Sequence, residues 1–247
     1  MNISKIRTVE EISMNTYKKF RSSYLNALFY DHLWNKNIAY INSIMGRYYT
    51  EYNGHLNGER LIADIKNASC FEMFQSSMNR LKTEILYKSN VHGIRHVERT
   101  CVLTVYIAKE LRFSENEIRL CLEAAKYHDI GRRDDSEDPQ HGYRGAIEIP
   151  HICTDFSNRE KCLIAAVVAA HSLGDEDCPR IFREFGVSEM EFGKCRMYLS
   201  VLKDADALDR FRLNESSLRT KYLRNKISFS MIKAACEMTF YGEVNEM

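Results

Sequence analysis

The chain has 247 residues, of which 45% are hydrophobic and 28% are charged, and its formal net charge is +1. This balance is typical of an ordinary globular protein with a sizeable core. It excludes a strong overall attraction to nucleic acid or to anionic membranes. Only 3 prolines and 11 glycines interrupt the chain. The composition therefore leaves room for long helices and predicts an all-α fold.

The cysteines and the N-terminal residues bear on the cellular compartment. None of the eight cysteines forms a C-x-x-C pair, and several fall on apolar helix faces, as buried free thiols usually do. The first residues carry no apolar core of signal-peptide length, and no stretch approaches the roughly 20 apolar residues of a membrane span. We therefore expect a cytoplasmic protein without a membrane partner.

Aromatic residues are concentrated in the first 68 positions. This region reads as two or three helices interrupted near Asn53–Gly58, and we expect it to form an N-terminal helical extension over residues 1–68. Such an extension would cap the core or form a dimer surface, so a homo-oligomer stays open. The aromatic residues are Tyr17, Phe20, Tyr24, Phe29, Tyr30, Trp34, Tyr40, Tyr48, Tyr49 and Tyr52.

Three helices are predicted in the next part of the chain. Apolar residues recur at helical spacing over Phe71–Tyr87, which predicts a first helix. Ser89–Gly93 makes a break, and a second helix follows over Ile94–Leu111. Ser114, with acidic residues directly after it, has the form of an N-cap. The third helix should therefore begin there and end near Gly131.

Further helices are predicted toward the C-terminus. After an acidic, polar loop, His141 opens one helix, an apolar stripe predicts another over Glu160–Ser172, and a third runs over Glu191–Phe211. Residues 210–226 then hold six basic residues against one acid. We interpret this segment as a solvated helix face. The alternative is a surface that attracts the phosphates of a nucleotide or nucleic acid.

The adjacent pair His128 and Asp129 is the most informative feature of the sequence. It continues the buried face of the third helix, and burying a carboxylate is costly unless its charge is compensated. A metal ion compensates it and also takes the neighbouring imidazole as a ligand. Further candidate ligands lie in helix-like segments on either side; they are His96, His141, His171 and Asp206.

Four ordered segments carry a resemblance to a known family. They read HGIRHVER from His92, YHDIGR from Tyr127, HGYRGA from His141 and DADALD from Asp204. In this order they resemble the HD-domain superfamily of metal-dependent phosphohydrolases, over about residues 70–212. The resemblance implies an HD-domain helical bundle at residues 69–214, after the N-terminal helical extension and before a C-terminal helical tail at residues 215–247.

The resemblance also implies a ligand set. His96, His128, Asp129 and Asp206 would hold a first metal, and Asp129 would bridge to a second metal held by His141 and His171. Asp204 lies elsewhere round its helix and stays open as an alternative to Asp206. Imidazoles with carboxylates suit divalent transition metals such as Mn, Fe, Co, Ni or Zn, as one or two ions.

The implied activity is hydrolysis of a small phosphoester, such as a nucleotide or related metabolite, by attack of metal-bound hydroxide on phosphorus. Asp129 would act in catalysis together with Arg132 or Arg133, which follow the metal pair and could clamp a phosphate bidentately. A solvated loop charge is an equally good interpretation of either arginine alone. The candidates for substrate binding are His92, Arg99, Lys126 and Lys203.

Three other classes of function stay open. A similar helical scaffold with His and Asp ligands can hold two irons that activate O₂, so a di-iron oxygenase is one alternative. A single-strand nuclease is favoured by the basic segment but not by the overall charge. A non-catalytic regulatory module would be expected to carry a broken ligand set, and this set is whole.

Overall fold

The computed structural model describes residues 19–30, 38–48 and 56–240. Tyr17, Trp34, Tyr49, Tyr52 and the first half of the predicted break at Asn53–Gly58 lie outside these ranges, as do residues 241–247. Within them the chain is all-α, as predicted, with no strand. The α-helices are α1 (Ser23–Tyr30), α2 (Ile38–Met45), α3 (Gly58–Lys66), α4 (Phe71–Asn79), α5 (Ile94–Glu110), α6 (Glu115–Tyr127), α7 (His141–Ile152), α8 (Asn158–Ala170), α9 (Cys178–Glu184), α10 (Phe192–Leu208), α11 (Lys226–Ser230) and α12 (Ile232–Thr239).

Helix α5 is the centre of the fold. Every residue from His96 to Ala108 is buried, and the helix packs against α6 and α10 as well as α3 and α12. A helix that is buried all round lies in the interior rather than on one side of a core. Its position explains how polar residues on this helix come to lie inside the protein.

Helices α6 and α8 begin and end in the same way. Ser114 and Ser157 cap their N-termini, each in a reciprocal capping box with the glutamate three residues later. At the other end, His128 and His171 directly follow the last helical residues and keep αR backbone angles. Because α6 and α8 pack against each other, the fold brings two histidines from separate helix ends together.

Two predicted helices are shorter in the structure. The helix predicted over Phe71–Tyr87 ends at Asn79, and a 3-10 turn follows at Thr83–Ile85. The apolar spacing misled the prediction because Leu81 and Ile85 still pack against the core from outside the helix. Likewise α10 ends at Leu208, and a 3-10 turn at Asp209–Arg212 follows it.

Residues 210–226 do not form the predicted helix face, although five of their six basic residues are exposed, as a solvated segment requires. Most of the segment consists of turns, with a 3-10 turn at Thr220–Tyr222. Two of its basic side chains have partners within the protein: Arg224 pairs with Asp175 at 3.0 Å, and the Arg210 Nε–H donates to the Ser217 carbonyl at 3.2 Å. These contacts hold the segment in an irregular path that helical periodicity does not predict.

The described parts of both ends of the chain belong to the same core. In the N-terminal part, Phe20 and Phe29 pack together with ring centroids 5.0 Å apart and also contact Phe74. Helix α12 packs against α2 and α3. All eight cysteines are free thiols and seven are buried. Among the helices of the described ranges, none has the length and apolar character needed to cross a membrane.

Candidate metal centre

Four predicted ligands meet at one point. The Nε2 atom of His96 lies 3.0 Å from Nε2 of His128, 3.4 Å from Oδ2 of Asp129 and 3.4 Å from Oδ1 of Asp206. The Nε2 atom of His128 lies 3.6 Å from the same Asp129 oxygen. Two imidazoles and two carboxylates, from α5, α10 and the end of α6, thus present ligand atoms to a shared space.

A second group forms on the other oxygen of Asp129. Its Oδ1 atom lies 3.0 Å from Nε2 of His141 and 3.8 Å from Nε2 of His171. The two Nε2 atoms are 2.9 Å apart. Asp129 therefore lies between the two groups, with one oxygen directed to each.

Hydrogen bonds fix the ring orientation of three of these histidines. The Nδ1 atoms of His128 and His171 donate at 2.8 Å and 2.6 Å, respectively, and Nδ1 of His141 makes a shorter bond of the same kind. The acceptors are the main-chain carbonyls of Ala125, Val168 and Asp138. Since a carbonyl oxygen only accepts, Nδ1 carries the proton in each ring. Each Nε2 then points a lone pair at its neighbours, as in a metal-binding histidine.

Asp209 fixes the orientation of the fourth ring, that of His96. Its Oδ2 accepts the Nδ1–H of His96 at 2.7 Å, and its Oδ1 accepts a bond from Nε of Arg99. The sequence analysis did not single out Asp209, although it falls in the DADALD segment three residues after Asp206. Arg99, predicted to bind substrate, lies buried behind His96 instead.

Burial and charge set the protonation of the cluster. Burial lowers the pKa of His128 to about 3, so its ring is neutral at neutral pH. Burial raises the pKa of Asp129, but the surrounding imidazoles of His128, His141, His171 and His92 outweigh this and hold it well below the usual range. The site therefore offers a neutral imidazole and an ionised carboxylate, the forms that bind metals.

The residues present fit a divalent transition metal. Lone pairs of His96 and His128 directed at each other at 3.0 Å repel unless a cation or a proton lies between them. Oδ1 of Asp129 is buried and accepts no hydrogen bond, which is costly for an ionised oxygen. Metal ions bound to this set of nitrogen and oxygen atoms would relieve both conflicts.

Glycines allow the segments of the site to approach. A Cβ atom at Gly142 would lie 2.6 Å from the Val168 carbonyl oxygen and 2.9 Å from Nδ1 of His171. A Cβ atom at Gly131 would clash with the carbonyl oxygen of His141. Glycine at these positions lets α7 pack closely against α8 and against the turn after His128, which brings the second histidine pair together.

A pocket of about 460 Å³ opens onto the cluster. Its walls include His92, Arg132 and Arg212. The side chain of Arg132 is 11% exposed and that of Arg212 is 6% exposed, and Nε of Arg132 and Nη1 of Arg212 are buried without a hydrogen-bond acceptor. Arg133, the other predicted phosphate ligand, is exposed and does not line this pocket. Arg212 was missed because nothing in its local sequence distinguishes it from the other basic residues nearby.

Three other predicted residues lie away from the pocket. Asp204, the alternative to Asp206, is fully buried and accepts the main-chain N–H groups of Arg224 and Asn225. The Lys203 ammonium donates to the Leu173 carbonyl oxygen and pairs with Asp175, both in the segment after α8. Lys126 pairs with the neighbouring Glu123 at 2.8 Å. The structure therefore brings none of these three side chains to the metal centre.

No protein-family model, no curated protein and no solved structure matches the chain. The all-helical fold with a buried histidine–aspartate cluster, which could bind a metal, is compatible with an HD-type domain.

Proposed function

We propose that this protein is a metal-dependent phosphohydrolase of the HD type that cleaves a small phosphoester, such as a nucleotide or a related metabolite. The observation that carries the proposal is the position of Asp129 between two groups of imidazole Nε2 atoms, beside a pocket with two arginines that each have a buried N–H group. Ligand groups of this kind suit catalysis at phosphorus, and the arginines suit an anionic substrate.

Two metal positions follow from the ligand groups. His96, His128 and Asp206 would hold one ion and His141 and His171 the other, with Asp129 shared between them. Divalent ions bound there would supply a water of lowered pKa and would neutralise charge that develops on the phosphoryl oxygens.

Arg132 and Arg212 would bind the substrate phosphate. Each guanidinium has a buried N–H without an acceptor, and such a donor is satisfied when a phosphate oxygen reaches it. Nε of Arg132 lies 2.9 Å from Oδ1 of Asp129 but does not donate to it, so its N–H stays available. A phosphate held by both arginines would lie next to the metal ligands.

His92 would orient the shared carboxylate. Its Nδ1 atom lies 3.0 Å from Oδ2 of Asp129 and 3.3 Å from Nη2 of Arg212. Burial lowers the pKa of His92, so the ring is neutral at neutral pH and donates one N–H. A hydrogen bond to Asp129 keeps one carboxylate oxygen directed at each ligand group.

The volume of the pocket favours a small substrate, and its Arg132 and Arg212 side chains favour an anionic one. Its volume of about 460 Å³ lies within the range for small-molecule sites. The same ligands would also suit a di-iron oxygenase, but O₂ chemistry gives no reason for two buried guanidinium groups. A phosphoester does.

The test is a hydrolysis screen of the full chain loaded with Mn²⁺, Fe²⁺ or Ni²⁺, with an aryl phosphate and a panel of nucleotides. We expect metal-dependent release of phosphate that His128→Ala abolishes. Arg132→Gln should lower kcat/KM by about 10- to 100-fold, because it removes one charge-assisted hydrogen bond, while Arg196→Gln, an exposed arginine outside the pocket, should have no effect. Oxygen consumption by iron-loaded protein without any phosphate release would favour the oxygenase instead.

A further inference from the structure

A second pocket, of about 120 Å³, is lined by positively charged residues. It shares no lining residue with the metal pocket. Helices α6 and α7 and the residues that follow α4 and α7 form its walls. Four of its side chains are cationic and two are carboxylates: Arg80, Lys82, Arg119 and Lys126, with Glu123 and Asp155.

One ion pair is built into the wall. Lys126 is 3% exposed and Glu123 is 7% exposed, and their charged atoms lie 2.8 Å apart. The Cys153 thiol is also directed at Glu123, with Sγ 3.7 Å from Oε1. Because Glu123 is already engaged on both oxygens, it does not compensate the other cations of the pocket. The second carboxylate of the pocket, Asp155, is exposed.

Two of those cations have neutral partners. The Lys82 ammonium donates to the carbonyl oxygen of Ile152 at 3.1 Å, and Nη1 of Arg80 donates to the Ser76 hydroxyl at 2.6 Å. In the described part of the chain, neither forms an ion pair with a carboxylate. Each keeps further N–H groups that could bind an anion.

The third cation, Arg119, is only weakly compensated. Its guanidinium lies over the Phe156 ring, 4.3 Å from the centroid, and its Nη2 is 3.7 Å from Oε1 of Glu160. The other oxygen of Glu160 accepts the capping hydrogen bonds from Ser157. The aromatic ring orients Arg119 without neutralising it.

Like charges around a small cavity repel one another, and a bound anion removes the repulsion. Since a water molecule takes up about 30 Å³ in the liquid, a pocket of about 120 Å³ has the scale of one small oxyanion. Lysine and arginine side chains are the usual donors to such an anion. We propose that this pocket is a second anion site that binds a tetrahedral oxyanion, either free phosphate or the phosphoryl group of a small ester. It is independent of the metal centre and of the proposed hydrolysis.

Calorimetric titration of the metal-free full chain with inorganic phosphate, sulfate and phenyl phosphate, at constant ionic strength, tests the proposal. The double variant Arg80→Gln/Lys82→Gln removes two cations whose side chains are at least partly exposed, so the fold should persist, which circular dichroism checks. The matched control Lys88→Gln/Arg196→Gln removes two exposed cations outside both pockets.

We expect saturable binding of phosphate and sulfate that weakens at least tenfold in the pocket variant and stays within twofold in the control. Binding of phenyl phosphate as well would identify a phosphoryl group as the ligand, and its failure to bind would identify the free anion. The proposal is overturned if the wild type shows no saturable binding. Equal loss in both double variants, or undiminished binding in the pocket variant, overturns it too, because the anion would then bind elsewhere.

Discussion

The Nδ1–H group of His96 donates to Oδ2 of Asp209 at 2.7 Å, and both side chains are 1% exposed. On its other side Asp209 is held by Arg99. Burial raises the pKa of Asp209, but Arg99 and the bond from His96 outweigh it and lower the pKa to about 2. An ionised carboxylate thus fixes the imidazole so that Nε2 points into the metal centre, as the outer partners of metal-binding histidines do.

We therefore predict that Asp209→Asn weakens metal binding. The amide lacks the negative charge that orients His96 and raises the basicity of its Nε2 atom. Loss of such a partner typically lowers metal affinity 10- to 100-fold. Calorimetric titration of metal-free protein with Mn²⁺ measures the change.

Asp204→Asn is the matched control for Asp209→Asn. Asp204 is equally buried, but it accepts main-chain N–H groups of Arg224 and Asn225 and the Ser228 hydroxyl. Its variant should lower the free energy of unfolding and leave the Mn²⁺ affinity of the folded protein unchanged. Equal affinities in the two variants would show that Asp209 does not act through His96.

The two ligand groups predict that the protein binds two metal ions and that a substitution in one group can remove one ion without the other. Protein purified without chelator should contain two equivalents of metal by elemental analysis. His141→Ala should lose one equivalent, because it touches only the group on Oδ1 of Asp129. Asp129→Asn should lose both. A single equivalent in the wild type that persists in His141→Ala would contradict the second metal position.

Much of the local structure could be predicted from the sequence because it depends on neighbouring residues. A serine followed three residues later by a glutamate marks the start of α6, and its apolar spacing indicated that His128 and Asp129 face inward. The ordered histidines and aspartates also predicted which side chains would meet. His96 and His128 are 32 residues apart in the chain but only 3.0 Å apart in space.

Contacts between distant charged residues could not be predicted in this way. Asp209 meets His96 across 113 residues, and this pairing depends on the path of the 3-10 turn after α10. The same turn carries Arg212 into the metal pocket. Local sequence indicates that Arg99 and Lys126 are charged and near buried faces, but the packing of α5 and α6 decides whether each reaches the metal site or pairs elsewhere.

Glu117 predicts a pH dependence of stability. It accepts hydrogen bonds from the Ser114 hydroxyl and main-chain N–H, and Lys194 and Tyr198 of α10 also contact it. The bonds from Ser114, followed by the charge of Lys194, lower the pKa of Glu117 from 4.5 to about 2. Its contribution to the free energy of unfolding is therefore complete above pH 4.5 and is lost as the pH falls toward 2.

We accordingly expect Glu117→Gln to lower the free energy of unfolding by about 1–2 kcal/mol at pH 7. The difference from the wild type should shrink as the pH falls below 4.5. Glu160→Gln, in the equivalent capping box of α8, should be milder, since the only ion pair of Glu160 among the described residues is a 3.7 Å contact with Arg119. Urea unfolding across the pH range measures both variants. If the difference in the free energy of unfolding between the wild type and Glu117→Gln stays constant down to pH 2, the lowered pKa of Glu117 is not the cause.

The close approach of α7 and α8 makes Gly142 a sensitive position for the second ligand group. In Gly142→Ala the new methyl group would meet the Val168 carbonyl oxygen at 2.6 Å and the His171 ring at 2.9 Å, so the helices must separate and His141 must move away from His171. We expect the free energy of unfolding to fall by about 1–3 kcal/mol, as for other overpacked sites. The variant should also lose one equivalent of metal. Gly193→Ala is the control, because a Cβ atom there meets nothing within 4 Å and alanine favours the helix by about 0.5–1 kcal/mol. Thermal unfolding and elemental analysis of both variants decide the matter: if Gly142→Ala retains full metal content, the spacing of these two helices does not control the second group.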